Sequence, residues 1–395
     1  MTQQVILAGG ARTAFGDFGG ALKDVKLTDM AAHVAKASLQ RAKAKPEDID
    51  HIVFGATMFP DKDTMFNARV VGIKAGLPEE TSALAVIRAC GTGLQAIVSA
   101  GQQIQTGHSQ LAVAGGAESY SRVPYVVTTA RWGKKRGPQV LEDQLDWAYR
   151  CPFTDEFMGE TAENLAEDYQ YEREAMDDWG HMSQLRAGHG ISSGFLARQI
   201  VPIEVPDGKG TKSFAVDEFP RPTLTREKLR DLKPAFKAGG KVTAGNSSGV
   251  TDGAAFLIVA DRNSAERKGI KPEARIVDWT TIGVPPRIMG VGPVPAIAKL
   301  LANNGLRVSD IDYFEINEAF AVVNLHAEKQ LGIPRDITNL YGGGISIGHP
   351  PGATGVRMTI TAMHHLAETG GKYAVVSMCL GAGQGMAMLV ENLLR

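Results

Sequence analysis

Cys90 stands in the run Ile87-Arg88-Ala89-Cys90-Gly91-Thr92-Gly93-Leu94. An apolar segment ends at the cysteine, two glycines permit a sharp turn, and a helical pattern starts at once. That order sets the sulfur beside a helix N-terminus, where the dipole and free N–H groups favour a thiolate. A thiolate is the form that attacks a carbonyl. A cysteine in an apolar run also reads as a small core residue; the strand-to-helix turn favours the nucleophile.

His349 lies in a second glycine-rich turn, Gly342-Gly343-Gly344-Ile345-Ser346-Ile347-Gly348-His349-Pro350-Pro351-Gly352-Ala353-Thr354-Gly355. Glycines let a backbone approach something closely, and histidine is the usual proton carrier near neutral pH. The same histidine could simply cap the turn. Cys379 follows an apolar strand and opens on Leu380-Gly381-Ala382-Gly383-Gln384-Gly385, a turn whose backbone N–H groups could hold an oxyanion. Asn317-Glu318-Ala319-Phe320 also ends a strand, and there an exposed Asn and Glu read equally well as a helix cap. Each signal is modest alone. Together they are four polar turns at strand ends, where ligands of α/β sheets bind.

The elements that carry these turns alternate, which points to a layered α/β fold. Strands are expected at 5–8, 52–56, 83–89 and 111–114, and helices at 28–44, 67–75 and 93–107. The order returns late in the chain: helix 296–304, strand 313–316, helix 319–331, the 342–355 turn, a helix to about 368, then strands 373–378 and 385–391. Local words repeat too. Asp48-Ile49-Asp50 matches Asp310-Ile311-Asp312, and Gly76-Leu77-Pro78 matches Gly332-Ile333-Pro334. Two copies mean a duplication, not a solenoid. The His349 turn then takes the place in the second half that the Cys90 turn takes in the first, so the two residues face each other at the seam.

Residues 119–249 differ from both halves. They hold the basic stretch around Arg131, Lys134, Lys135 and Arg136, and three of the four tryptophans. They read as an inserted subdomain covering one face of the core. The expected division is therefore 1–118, with a return segment at about 250–272; the insert 119–249; and 273–395.

Bulk properties narrow the function. A formal net charge of −1 gives no pull toward nucleic acid or anionic membrane. Three cysteines, an odd and sparse set, form no disulfide framework and fit a reducing compartment, read as the cytoplasm. No paired Cys-x-x-Cys spacing suggests a metal site. The N-terminal apolar run is short and lacks a basic leader, so it reads as a strand. No stretch approaches the roughly 20 apolar residues that span a bilayer.

Cys90-Gly91-Thr92-Gly93, Asn317-Glu318-Ala319-Phe320, Gly348-His349-Pro350 and Cys379-Leu380-Gly381-Ala382-Gly383 together resemble the signature set of the thiolases, over essentially residues 5–393. The similarity is greatest to acetyl-CoA acetyltransferases and short-chain β-ketothiolases. It implies two duplicated βαβαβαββ halves in an α-β-α-β-α core with an inserted loop domain. It implies a reversible Claisen condensation of two acyl-CoA molecules by a ping-pong route through an acyl-Cys90 intermediate. His349 would activate Cys90, Asn317 would position a water, and Cys379 would move the α-proton. The N–H groups of Cys90 and Gly381 would form an oxyanion hole. Coenzyme A is then substrate and product, with no separate cofactor. Ser248 resembles a pantetheine contact and Arg221 a residue near the adenine nucleotide. Residues 122–137 resemble the loop that joins thiolase dimers into tetramers.

Three departures stand out. Phe157, before Met158-Gly159, stands where acetoacetyl-type members usually carry His, which places a larger apolar ring near the expected acyl group. Pro351 replaces an aliphatic residue, and Ala382 a glycine. Acyl preference is thus expected to depart from a plain acetoacetyl-CoA enzyme. Alternative readings are a degradative 3-ketoacyl-CoA thiolase with longer or branched substrates, a Cys/His thioester hydrolase, and a non-catalytic CoA-binding protein.

Overall fold

The computed structural model describes residues 4–395; Met1–Gln3, the start of the N-terminal run, lie outside the described residues. Among the described residues, nine strands follow one another in a single hydrogen-bonded path. From one edge they are Ser82–Val86, His51–Gly55, Leu111–Glu118, Thr251–Asp261, Val5–Arg12, Ala274–Gly283, Gln384–Asn392, Tyr373–Leu380 and Tyr313–Ile316. A short strand, Gly16–Asp17, pairs off this path with Thr251–Asp261. The first three strands are mutually parallel, and Thr251–Asp261 and Val5–Arg12 join antiparallel.

The second half repeats this pattern. Tyr313–Ile316 is parallel to Tyr373–Leu380, with Gln384–Asn392 and Ala274–Gly283 added antiparallel. Its counterpart of Ser82–Val86 shrinks to one parallel bridge, Phe314 to Thr338. The repeated words do the same work twice. Asp50 Oδ2 accepts the Gln110 N–H at 2.7 Å, and Asp312 Oδ2 accepts the Lys372 N–H at 2.6 Å, each steadying the start of the neighbouring strand. Gly76 and Gly332 end equivalent helices at φ of 89° and 64°, the left-handed cap that glycine adopts freely.

Side-chain alternation sets the layers. Leu257 and Val259 enter one core while Phe256 and Ile258 enter another. Thr251–Asp261 is buried on both faces along its whole length, whereas Ala274–Gly283 is buried only in part; neither is among the strands expected from the sequence. The central core gathers the helices Thr92–Gln105 and Pro351–Thr369 between the two half-sheets. Leu27–Ala42 and Asn67–Ala75 cover the outer face of one half, and Pro293–Asn303 with Ala327 of Ala321–Leu331 covers the other. This is the expected α-β-α-β-α order. One addition is that the half-sheets join at their edges through Ile6–Arg275 and Leu7–Ala274.

Residues 119–249 supply no strand to that path among the described residues. They form the helices Met158–Asp168 and Arg173–Ser192 and two short hairpins. Leu165 and Trp179 pack with Met289, Val322 and Cys379, so this segment lies over the second half beside the cysteine. A buried bidentate pair, Arg12 to Asp217 at 2.6 and 2.8 Å, ties it to the first strand.

Candidate active site

The helices Thr92–Gln105 and Pro351–Thr369 meet at their N-terminal ends because glycines line the contact. A methyl group on Gly93 would come within 2.5 Å of the Gly352 carbonyl oxygen, and one on Gly355 within 2.3 Å of Leu94 N. Only bare backbone fits. The closeness of the two helices brings the turns that precede them, with Cys90 and His349, to one cavity. The cavity measures about 260 Å³ and is largely apolar. Cys90, His349, Gly381, Ser248 and Met158 line it, together with Tyr120, Tyr149, Met289 and Phe320.

The Cys90 turn is held from within. Ala89 adopts φ of 44°, an uncommon state for a residue with a Cβ. Thr92 Oγ1 clamps it, donating to the Ala89 carbonyl at 2.7 Å and accepting the Arg88 N–H at 2.8 Å. The backbone N–H groups of Gly381 and of Cys90 itself act to lower the pKa of the thiol. These donors favour a thiolate, but burial outweighs them and pushes the thiol above its ordinary range. The N–H groups thus act in the expected direction, and the thiol form still prevails, so ionising Cys90 takes a base.

His349 lines the same cavity. Burial, and secondarily the Arg357 guanidinium, lowers its pKa to about 3, so the ring is neutral. Its Nε2 lies 3.3 Å from Asn317 Nδ2, and its Nδ1 lies 2.7 Å from Thr354 Oγ1. Asn317 and Glu318 are fully buried and cap nothing; the helix Ala321–Leu331 starts after Phe320 with no side-chain cap. Glu318 instead anchors the turn. It accepts from Trp179 Nε1 at 3.1 Å, Ser183 Oγ at 2.6 Å, Asn339 Nδ2 at 3.1 Å and Ile345 N at 3.2 Å. Those bonds hold residues 317–320 out of the helix expected from 319.

Cys379 lies within Tyr373–Leu380, beneath the cavity wall rather than on it, and is fully buried. Burial, then the neighbouring Cys90, raises its pKa strongly. Glu118 lies behind the lining residues Thr57 and Met58. It accepts the N–H groups of Thr57, Met58 and Gly352 and the Thr57 hydroxyl, at 2.8–3.2 Å. Burial still lifts its pKa to about 7. Sequence reasoning passed over Glu118, because a carboxylate at a strand end carries no motif of its own.

Two of the expected contacts, Phe157 and Arg221, lie outside this cavity. Phe157 does not line the cavity: the Arg150 guanidinium lies over its ring at 4.1 Å, and Met158 forms the wall instead. The cavity is narrowed by Tyr120 and Tyr149, whose rings tilt together at 5.7 Å. No sequence pattern marked them, since they come from separate segments. Arg221 is half exposed and bonds the carbonyls of Glu218, Phe219 and Pro220 at 2.7–3.1 Å, with Asp17 at 3.4 Å. Pro351 takes the first helical position, where its lost N–H costs nothing. Ala382 adopts φ of 65°, the conformation for which glycine is better suited. Among the described residues no group of three or more His, Cys, Asp or Glu could hold a metal ion.

Comparison with known proteins agrees with this geometry. The family described as "Thiolase, N-terminal domain" matches residues 5–263, and "Thiolase, C-terminal domain" matches residues 270–392. The beta-ketothiolase BktB of Cupriavidus necator is 43% identical over 394 residues, covering 100% of both chains. The crystal structure of the Bacillus anthracis acetyl-CoA acetyltransferase superposes with a TM-score of 0.97 at 39% identity, covering 99% of each chain. That of human mitochondrial 3-ketoacyl-CoA thiolase in complex with CoA does so at 0.95 and 40% identity, covering 99% of this chain and 98% of the other.

Proposed function

Because the chain belongs to the thiolase family and is an acyltransferase, we propose that Cys90 carries the acyl group and that the cavity above it takes short to medium, apolar acyl chains. The observation that carries this reading is that Cys90, His349 and Gly381 line one apolar cavity at the ends of two helices.

The proton inventory follows from burial. Both thiols start protonated. His349 Nε2 takes the Cys90 proton, and the thiolate attacks the thioester carbonyl. The new C–S bond forms as the bond to CoA breaks. The departing CoA sulfur takes the proton of Cys379. That leaves Cys379 as a thiolate able to remove the α-proton of a second acyl-CoA. The resulting carbanion attacks the acyl carbon and expels Cys90, which recovers its proton from His349. Thiolysis runs the same steps backward. Meanwhile the Nε2–H of His349, together with a water held at Asn317, stabilises the enolate oxygen, and the N–H groups of Cys90 and Gly381 stabilise the acyl-enzyme oxyanion.

Coenzyme A enters as substrate and leaves as product. Ser248 and Met158 stand in the cavity wall; in this reading they meet the pantetheine chain, and Arg221 offers an exposed guanidinium for phosphate. In this reading 119–249 serves as the CoA-binding and oligomerisation segment between the halves 1–118, with 250–272, and 273–395. The three cysteines are free thiols, which supports a cytoplasmic setting.

Self-association completes the reading. The strand Ser82–Val86 is a sheet edge with exposed side chains, and Ile87 beside it is 58% exposed. Such an edge pairs with another strand unless it is blocked. A second copy of the chain fits it, and the projecting 122–137 segment, with Trp132 87% exposed, could join dimers into a homotetramer. Ala85→Pro at the edge should lower the mass seen by light scattering; an unchanged mass would place the interface elsewhere.

The deciding assay is thiolysis of a panel of 3-ketoacyl-CoAs by wild type and Cys90→Ala. Cys90-dependent turnover is expected, extending beyond acetoacetyl-CoA. Turnover confined to acetoacetyl-CoA would refute the wider range, and turnover without Cys90 would refute the acyl-cysteine route.

A further inference from the structure

Thr354 sits in the first turn of the helix Pro351–Thr369 and is fully buried. Its hydroxyl oxygen has two close partners: the Pro350 carbonyl oxygen at 2.9 Å and His349 Nδ1 at 2.7 Å. A bond from a threonine hydroxyl to the carbonyl four residues earlier is an ordinary helix habit. Here it has a consequence for the neighbouring ring. The Pro350 oxygen can only accept, so the single hydroxyl proton of Thr354 goes to it. The hydroxyl oxygen is then left with lone pairs toward His349, and Nδ1 must bring the hydrogen.

We infer that Thr354 is a positioning residue that fixes the tautomer of His349, keeping the proton on Nδ1 and leaving Nε2 unprotonated in the cavity it shares with Cys90. The opposite tautomer would set two oxygen lone pairs against each other at 2.9 Å and turn an N–H toward Asn317 Nδ2, itself a donor. The assignment from Pro350 does not depend on how the Asn317 amide is oriented. The same contact serves both stages of the reaction. Before acyl transfer it keeps Nε2 a base. Afterwards, with the Cys90 proton on Nε2, it holds the Nδ1–H while Nε2–H faces the substrate oxygen. A neutral hydroxyl, unlike a carboxylate, does not stabilise the imidazolium. With Arg357 the charged neighbour acting on the ring, the proton is held loosely and returned readily to sulfur.

This inference rests on His349 acting as the base, and the experiment separates the two. Thr354→Val, Thr354→Ser and His349→Asn are compared with wild type for kcat, KM and the rate of Cys90 alkylation by iodoacetamide at pH 7. Circular dichroism and the thermal midpoint serve as folding controls. Thr354→Val should lower kcat about 10²-fold, the lower end of what a positioned general base contributes, with KM changed less than threefold. Alkylation should slow toward the His349→Asn rate. Thr354→Ser, which keeps the hydroxyl, should stay within about fivefold of wild type by the same scale. A folded Thr354→Val with wild-type kcat would overturn the inference. So would a folded Thr354→Ser as impaired as the valine variant. A His349→Asn variant that alkylates and turns over normally would instead overturn the reading beneath it.

Discussion

The side chains of Asn317 and His349 meet at 3.3 Å, Nδ2 to Nε2, although they arise from different turns of the second half. The imidazole is thereby shared between an amide and the Thr354 hydroxyl, with no carboxylate bonded to it. Removing the amide should leave Nε2 able to take the Cys90 proton but weaken its support of the enolate oxygen. Asn317→Ala is expected to lower kcat for condensation by about 10²–10³-fold, the usual cost of one oxyanion donor. Acylation of Cys90, followed by burst release of CoA, should slow far less. Equal loss in both steps would show that Asn317 acts on the base alone.

Gly355 tests the seam. An alanine methyl there would meet Leu94 N at 2.3 Å, where no flexible side chain can yield. Gly355→Ala should destabilise the protein by about 1–3 kcal/mol through overpacking. It should also reduce activity, because separating the two helices separates Cys90 from His349. Denaturant unfolding together with kcat measures both effects. A variant as stable and active as wild type would mean the helices slide without cost.

Tyr149 should govern chain length. Its ring leans on Tyr120 at the cavity wall, and burial raises the pKa of both phenols, so both rings stay neutral. Tyr149→Ala should raise kcat/KM for six-carbon and branched 3-ketoacyl-CoAs relative to acetoacetyl-CoA by roughly 10-fold, the worth of a methylene or two in an apolar pocket. An unchanged profile would assign the limit to Met158 or Phe320 instead.

Stability should fall on the acid side for an identifiable reason. His326 is buried, its Nδ1 3.1 Å from the Tyr171 hydroxyl, and burial lowers its pKa to about 4. Between pH 6.5 and 4 the unfolded chain binds a proton there that the native chain does not, so unfolding becomes easier as pH falls. His349 adds the same sign down to about pH 3. Glu118 and Glu315, both raised by burial to about 7, act oppositely: the native state keeps their protons longer, so they favour it most at low pH. His326→Gln should flatten the wild-type decline between pH 6.5 and 4 by at most about 3 kcal/mol. An unaltered slope would exclude His326 as a source.

Ala382 offers a gain. At φ of 65° it pays the usual penalty of an L-residue in the left-handed region. Ala382→Gly should stabilise the fold by about 1 kcal/mol, seen as a higher denaturant midpoint. A lower midpoint would mean the methyl makes contacts worth more than the strain.

The order of elements, the duplication and the candidate reacting residues Cys90, Asn317, His349 and Cys379 were legible in the residues alone. They rest on short-range facts: apolar periodicity, glycines at turns, and small motifs that one stretch of chain carries whole. The strand Tyr313–Ile316 and the helix Asn67–Ala75 have the bounds expected of them. What tertiary structure decided is of another kind. Burial is a sum over distant segments, so only the folded chain reveals that Cys90 and Cys379 rest as thiols and that Asn317 and Glu318 are inside rather than capping a helix. Cavity walls are likewise assembled from afar. Phe157 turns to Arg150, while Tyr120, Tyr149 and Met289 arrive from three separate segments. The tautomer of His349 depends on where one carbonyl, Pro350, directs one hydroxyl proton, and no spacing of residues can state that until the turn has its geometry.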